Sequence, residues 1–233
     1  MIFWGNLSLQ DALRVTIEQI VYFHDYLIIV MLIILRIVGY FLIFVLTTKT
    51  YSSRIVADHL VERIWTILPI VVLIFLVYPS IYLLYLIDES RVEFLCTLKV
   101  IGHQWYWSYK IDGVFSLDID SYIDSDSVVR LLDVDNRVVI PRQENIRALI
   151  TSADVLHSWA LPSLGLKIDA IPGRLNQFVF TVIINSIIHG QCREICGVNH
   201  SFIPIVLEAV NLKDILYWIS LIKYQPFKLK NNQ

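Results

Sequence analysis

Two cysteines and two histidines carry the strongest chemical signal in the sequence. The segment GQCREICGVNHSF, Gly190 to Phe202, sets Cys192, Cys196 and His200 four residues apart, and His157 stands 35 residues before Cys192 in TSADVLHSW. Two thiolates and two imidazoles form a soft, mixed sulfur–nitrogen donor set suited to copper or zinc. The step between the thiols lets both sulfurs turn toward one centre. Three plainer readings compete. An oxidising compartment would permit a disulfide. Two Cys and two His are also a common structural zinc set. Or the four residues are separate core positions. The β-rich sequence around them tilts the choice toward copper, because sandwich domains carry loop-borne His and Cys ligands.

A second signal is GHQWYWSY, Gly102 to Tyr109. Period-two alternation puts Trp105 and Trp107 on one strand face. Sheet packing accounts for Trp107 and Tyr109 better than function does. An exposed Trp beside a redox metal could instead conduct electrons to it. Cys96 reads as a bystander buried next to a strand.

The elements that must position these residues divide in two. The 233 residues are 56% hydrophobic and only 17% charged, with net charge -2. That balance excludes a disordered chain, makes an ordinary soluble domain improbable, and leaves no basic field for nucleic acid. Tyr26–Leu46 is a nearly unbroken apolar run of 21 residues, and Ile64–Ile87 is a charge-free run of 24. Each is long enough to cross a bilayer. Pro69 and Pro79 in the second run are tolerated with a kink. Arg36 is the misfit in the first. A mid-bilayer Arg costs about 2.5–3.5 kcal/mol, whereas the sixteen Leu, Ile, Val and Phe of that run favour insertion by roughly 5–10 kcal/mol. Lys49, Arg54 and Arg63 mark the short connecting loop as the inner side, against Asp11, Glu18 and Asp25 (with Arg14) ahead of the first span. Both termini then face the outer compartment. No charged segment followed by a cleavage site opens the chain, so no cleaved signal is expected.

From Asp88 onward, short β-branched and aromatic runs alternate with turn residues. Strands are expected at Leu98–Ile101, Trp105–Tyr109, Arg130–Asp133, Arg137–Ile140, Ile146–Ile150, Leu166–Asp169, Gln177–Thr181 and Pro204–Ala209. Asp112-Gly113, Asp135-Asn136 and Pro172-Gly173 supply turns. This is the pattern of a β-sandwich or barrel. Val210 to Lys223 reads as a closing amphipathic helix, and Lys228–Gln233 as a polar, frayed tail.

GHQWYWSY, LLDVDNRVVIP, TSADVLHSWALPSLGLKIDAIPGRLNQ and GQCREICGVNHSFIPIVLEAV closely resemble the family of subunit II of mitochondrial cytochrome c oxidase, animal type. So do WGNLSLQDA, FHD and ERIWTILP near the start. The resemblance covers nearly the whole chain. It implies a membrane-anchored all-β protein. Residues 1–87 would hold a two-helix transmembrane hairpin, with spans at about 26–46 and 64–87. Residues 88–233 would form a cupredoxin-like Greek-key sandwich or barrel carrying a binuclear copper A centre, with a helix at about 210–223. Position by position, it implies Cys192 and Cys196 as bridging thiolates and His157 and His200 as terminal imidazoles. Glu194 would ligate copper through its backbone carbonyl and, through its side chain, a magnesium ion shared with subunit I. Trp105 matches the aromatic that receives electrons from cytochrome c. Asp135 and Asp154 match acidic positions near the docking face, and Arg174 a contact to subunit I. Glu62 matches a carboxylate at the mouth of a proton path. The implied setting is the mitochondrial inner membrane, in lipid, with subunits I and III as partners. Termini and copper domain would face the intermembrane space and the loop the matrix. The implied activity is transfer of electrons from reduced cytochrome c to the haem and copper centres of subunit I, for oxygen reduction coupled to proton pumping.

The sequence departs from the family pattern at several places. Where the family has a weak methionine ligand, Ile203 offers no donor atom. Arg193 replaces a usual Ser, Ile123 and Ile168 replace frequent methionines, and Lys110 stands where an acid is frequent. These changes mostly share a direction, and the chain has 35 isoleucines against two methionines. Invertebrate mitochondria read AUA as Met and AGA as Ser, so translation with another code would give this pattern and would also place Arg36 in the first span. The codons at 36, 193 and 203 decide between that reading and true substitution in a fast-evolving lineage. Two other functions share parts of the pattern. A quinol-oxidising relative keeps the fold but loses copper, which the retained Cys and His oppose. A membrane-tethered zinc or copper-storage module would have no redox role.

Overall fold

The structure is a computed structural model, and it describes residues 9–49, 58–88, 93–113 and 115–224. Arg54, the tail Lys228–Gln233 and the start of the WGNLSLQDA motif lie outside them. Contacts separate two units, residues 18–89 and residues 1–17 with 90–233.

The first unit is helical. α1 spans Val15–Thr47 and α2 spans His59–Asp88. At 1.5 Å per residue these are about 50 and 45 Å long, more than the roughly 30 Å of a bilayer's hydrocarbon. Both helices are apolar on every side, and nearly all their side chains are exposed within the chain. A helix with no polar face cannot be stable in water, so lipid or another apolar surface must surround it. Asp58 caps α2: its Oδ1 accepts from the N–H groups of Leu60 at 2.9 Å and Val61 at 3.3 Å. Pro69 and Pro79 lie inside α2, which continues through both.

The second unit is a sandwich of two five-stranded sheets. β1 (Cys96–His103), β2 (Tyr106–Asp112), β3 (Leu117–Ser121), β5 (Ile146–Ser152) and β8 (Asn176–Phe180) form one sheet in the order β3-β2-β1-β5-β8. β4 (Val138–Pro141), β6 (His157–Leu161), β7 (Leu166–Ala170), β9 (Ser186–Cys192) and β10 (Pro204–Val210) form the other, in the order β4-β10-β9-β6-β7. The β1/β5 and β4/β10 pairs are parallel; the others are antiparallel. Alternation builds the core. Leu98 and Val100, Ala148 and Ile150, and Ile205 and Leu207 are buried, while their neighbours along β1 and β5 face outward at least in part. Each Leu, Ile or Val among them contributes about 1.5–3 kcal/mol when fully buried. α3 (Leu212–Tyr224) follows β10 and tucks Ile215 into the core.

The segment ahead of α1 is part of this unit. Leu13 is buried, its N–H donates to the Ser163 carbonyl at 3.0 Å, and its carbonyl accepts from the Ile183 N–H at 3.1 Å. The Arg14 guanidinium lies over the Phe178 ring, 5.0 Å from its centre.

Three expectations need correction. β2 begins at Tyr106, not Trp105. His103 pairs with Tyr106, so Gln104 and Trp105 form the two-residue tip of the hairpin, and Trp105 does not share a strand face with Trp107. Arg130–Asp133 is a turn, in which Leu131 has a left-handed backbone (φ 64°) and Leu132 N–H donates to Val129 O. β3, β6 and β9 were not among the expected strands. β3 alternates Leu and Ile with Asp, a residue depleted in strands, and all five residues of β6 are buried, which removes its alternation.

Candidate metal centre

Neighbouring strand ends and one loop gather the candidate ligands. His157 opens β6 and its ring is fully buried. Cys192 closes β9, pairing across to Trp159 of β6. Cys196 lies in the following loop, and His200 starts a single 3-10 turn, His200–Phe202, before β10. Backbone bonds hold the loop down: Arg193 N–H donates to Ser158 O, and Cys192 N–H to Ile203 O, both at 3.1 Å.

The side chains touch in succession. His157 Nδ1 is 3.9 Å from Cys192 Sγ, the two sulfurs are 4.0 Å apart, and Cys196 Sγ is 3.5 Å from His200 Nδ1. The donor atoms of His157, Cys192 and Cys196 all lie within 4.8 Å of one another, a group that does not include His200. The sulfurs are about twice as far apart as a disulfide bond requires, and both thiols are free. One tetrahedral ion needs all four donors roughly 3.3–3.8 Å apart on every edge. The extended nitrogen–sulfur–sulfur–nitrogen sequence does not meet that condition and would suit a pair of ions better than one. The Cys192 thiol also approaches the Glu194 carbonyl at 3.4 Å. Ile203 is buried beside the cysteines and brings only carbon to the site.

A second layer orients the first. Asp154 Oδ1 meets His157 Nε2 at 2.9 Å, leaving Nδ1 turned to Cys192. Asp154 Oδ2 accepts the Gln104 N–H at 2.6 Å, and the Gln104 side-chain amide donates to the Cys196 carbonyl at 2.8 Å. Gly102 makes room for the ring: a Cβ there would come 2.9 Å from His157 Cδ2 and 3.1 Å from Trp107 Cζ3. The Trp107 ring stands edge-on to His157, 5.8 Å between centres. Gly197 has φ +125°, where only glycine is comfortable, and a Cβ there would sit 3.3 Å from the Gln104 amide and the Trp105 indole. Trp105 is half-buried and packs on the ligand loop itself.

Electrostatics follow from this layer. Burial opposes the Asp154 carboxylate, but hydrogen bonds from His157, Val155 N–H and Gln104 N–H outweigh it and hold its pKa below the usual range. Burial likewise opposes protonation of His157, yet its bonds to Cys192 and Asp154 raise its pKa. Burial disfavours the Cys192 thiolate, but the bond to His157, the backbone at Glu194 and Ser158 and the His157 charge together outweigh this and lower its pKa. Burial and the neighbouring Cys192 charge push Cys196 up. Cys196 therefore holds its proton more tightly than Cys192. Metal binding must expel both protons. Burial raises Cys96, at the start of β1, to about 11, so its thiol stays protonated.

The remaining candidates lie elsewhere. Asp135 is exposed and accepts N–H bonds from Tyr122 and Asn136 at 2.8 and 2.6 Å. Arg174 is exposed in the turn after β7. Glu62 sits in the first turn of α2, 3.3 Å from His59 Nδ1. Gln104, Gly102 and Gly197 were not singled out from sequence. Asp154 was, but not as a partner of His157; its place three residues before that histidine was the available clue.

Comparison with known proteins bears on both units. Residues 96–210 match the family described as cytochrome c oxidase subunit II, periplasmic domain, and residues 3–83 match its transmembrane domain. Cytochrome c oxidase subunit 2 of Periplaneta americana is 47% identical over 221 residues, 93% of this chain and 96% of the relative. That of Drosophila yakuba is 47% identical over 223 residues, 93% and 97% of the two chains. The crystal structure of the periplasmic domain of subunit II of cytochrome oxidase (CoxB) of Bradyrhizobium japonicum superposes with a TM-score of 0.54 at 42% identity. It covers 57% of this chain and 96% of that one. The second unit has that cupredoxin-like fold, and the two apolar helices with their family match make this a membrane protein. On these grounds the chain belongs to the cytochrome c oxidase subunit II family.

Proposed function

We propose that the chain is the electron-accepting subunit of the respiratory oxidase of the mitochondrial inner membrane. It takes electrons from reduced cytochrome c and passes them to subunit I, where oxygen reduction is coupled to proton pumping. The observation that carries this reading is the donor sequence His157, Cys192, Cys196, His200. These four residues and the Glu194 carbonyl would hold a binuclear copper A centre. Bound copper supplies reversible one-electron chemistry shared by two ions.

The chain's residues do the rest. Paired strands and the Asp154 bond hold the donors in place, so little rearrangement accompanies a change of charge. The burial of His157 and both thiols excludes water. Trp105, part-exposed and packed on the ligand loop, is where electrons arrive. Asp135 and Asp154 face the basic donor. Lys110, 2.7 Å from Asp118, neutralises that acid. Arg174 contacts subunit I, the Glu194 side chain reaches a magnesium ion shared with it, and Glu62 stands at a proton-path mouth. Residues 1–87 act as anchor, beside subunits I and III in lipid, and residues 88–233 as copper domain. The bonds of Leu13 to Ser163 and Ile183 support the topology. A segment knit into the β unit shares its compartment, so both termini lie in the intermembrane space and the loop in the matrix.

The test is anaerobic copper loading of the full chain in detergent. The expected product is purple, with a mixed-valence spin-resonance signal, and oxidises reduced cytochrome c at a rate that falls with ionic strength. A colourless chain that takes up zinc instead would overturn the reading.

A further inference from the structure

The two halves of the donor set come from different places. His157 follows the turn 152–156, whereas Cys196 sits in the loop between β9 and β10. Within their own sheet, the Arg193–Ser158 bond ties the two segments. The tip of the β1–β2 hairpin, which belongs to the opposite sheet, touches both. Gln104 reaches Asp154 across 50 positions of sequence and the Cys196 carbonyl across 92.

We propose that Gln104 is a positioning residue that fixes the separation between His157 and Cys196, with its backbone N–H on Asp154 and its side-chain amide on the Cys196 carbonyl. This rests on the copper reading above. The bond to Asp154 is charge-assisted and, at 2.6 Å, short. It holds the carboxylate whose other oxygen meets His157 Nε2, and that contact aims Nδ1 at the sulfurs. The amide bond holds the carbonyl of a ligand residue directly. Gly197 admits both the amide and the Trp105 ring against the loop because it has no Cβ. One residue thus braces an imidazole and a thiol from outside the sheet that carries them. Its neighbour, Trp105, is seated by the same hairpin tip.

The test compares the full chain with Gln104→Met, which keeps length and loses the amide, and Gln104→Glu, which sets a carboxylate against a carbonyl. Copper affinity is read by chelator competition, the centre by visible and spin-resonance spectra, and the fold by melting of the copper-free protein. Partners of metal ligands typically matter by 10–100-fold, so both variants are expected to lose about 10-fold or more in copper affinity. Their spectra should shift while copper-free melting stays put. Combined with Asp154→Asn, Gln104→Met should lose less than the product of the two single losses, because both act through one network. A purple unsubstituted chain with an indifferent Gln104→Met overturns this proposal alone, as does a fall in copper-free melting that accounts for the lost copper. An unsubstituted chain that forms no purple centre overturns the copper reading, and this proposal with it.

Discussion

The helical unit and the β unit solve opposite problems. α1 and α2 bury almost nothing within the chain, and their apolar surface is uniform. What fixes them is their surroundings, so one side chain is much like the next. The β unit has a packed core, close backbone approaches and a polar network that spans both sheets. There each position has particular neighbours. Substitutions that are silent in one unit should therefore be severe in the other.

The largest effect is expected at the centre. Cys196→Ser removes one sulfur of the pair and should cut copper affinity by more than the roughly 100-fold upper range of supporting residues. Metal analysis after dialysis checks this, and a retained stoichiometry would show that Cys196 is no ligand. Next come two glycines. A Cβ at Gly190 would run into the Ala160 carbonyl oxygen, a clash with backbone, whereas one at Gly39 in α1 meets nothing within 4 Å. Gly190→Ala should cost about 3 kcal/mol or more. Gly39→Ala should cost nothing and gain up to about 1 kcal/mol of helix propensity. Thermal melting of both in detergent sharpens the contrast, and equal effects would erase it.

How much of this was legible in the sequence follows the same division. The helices announced themselves through composition, because a bilayer asks only for length and apolarity. The thiols and imidazoles showed through their spacing, since three of the four lie within nine residues. Strands such as β1 and β5 showed through alternation. What stayed hidden were relations across the fold. Nothing local says that Gln104 will meet Cys196, that Gly102 must stay bare for His157, or that Trp105 turns a corner while Trp107 enters the core. The two-residue hairpin loop broke the alternation that put both indoles on one face.

The smallest expected effect is on pH dependence. Burial opposes the Asp133 carboxylate, but bonds from Arg137, Ser127 and Val134 N–H outweigh it and lower its pKa. Arg137 Nη2 is 3.0 Å from Asp133 Oδ2. A depressed folded pKa adds stability above the unfolded carboxylate value of about 3.9, lost as pH falls through the folded value. Asp133→Asn should therefore be less stable than the parent by about 1 kcal/mol or less at neutral pH, with the gap closing in acid. Denaturant melts from pH 6 downward (roughly the range in which carboxylates titrate) follow it. A gap that widened in acid would contradict the assignment.

The burial of the four donors is graded. His157 is fully enclosed, the two thiols nearly so, and His200 only half, with Val198 of its loop 91% exposed. Metal held by these donors would therefore be reached from one side. The His200 end is the open one and the His157 end the closed one. A chelator would then meet His200 and its loop first and His157 last.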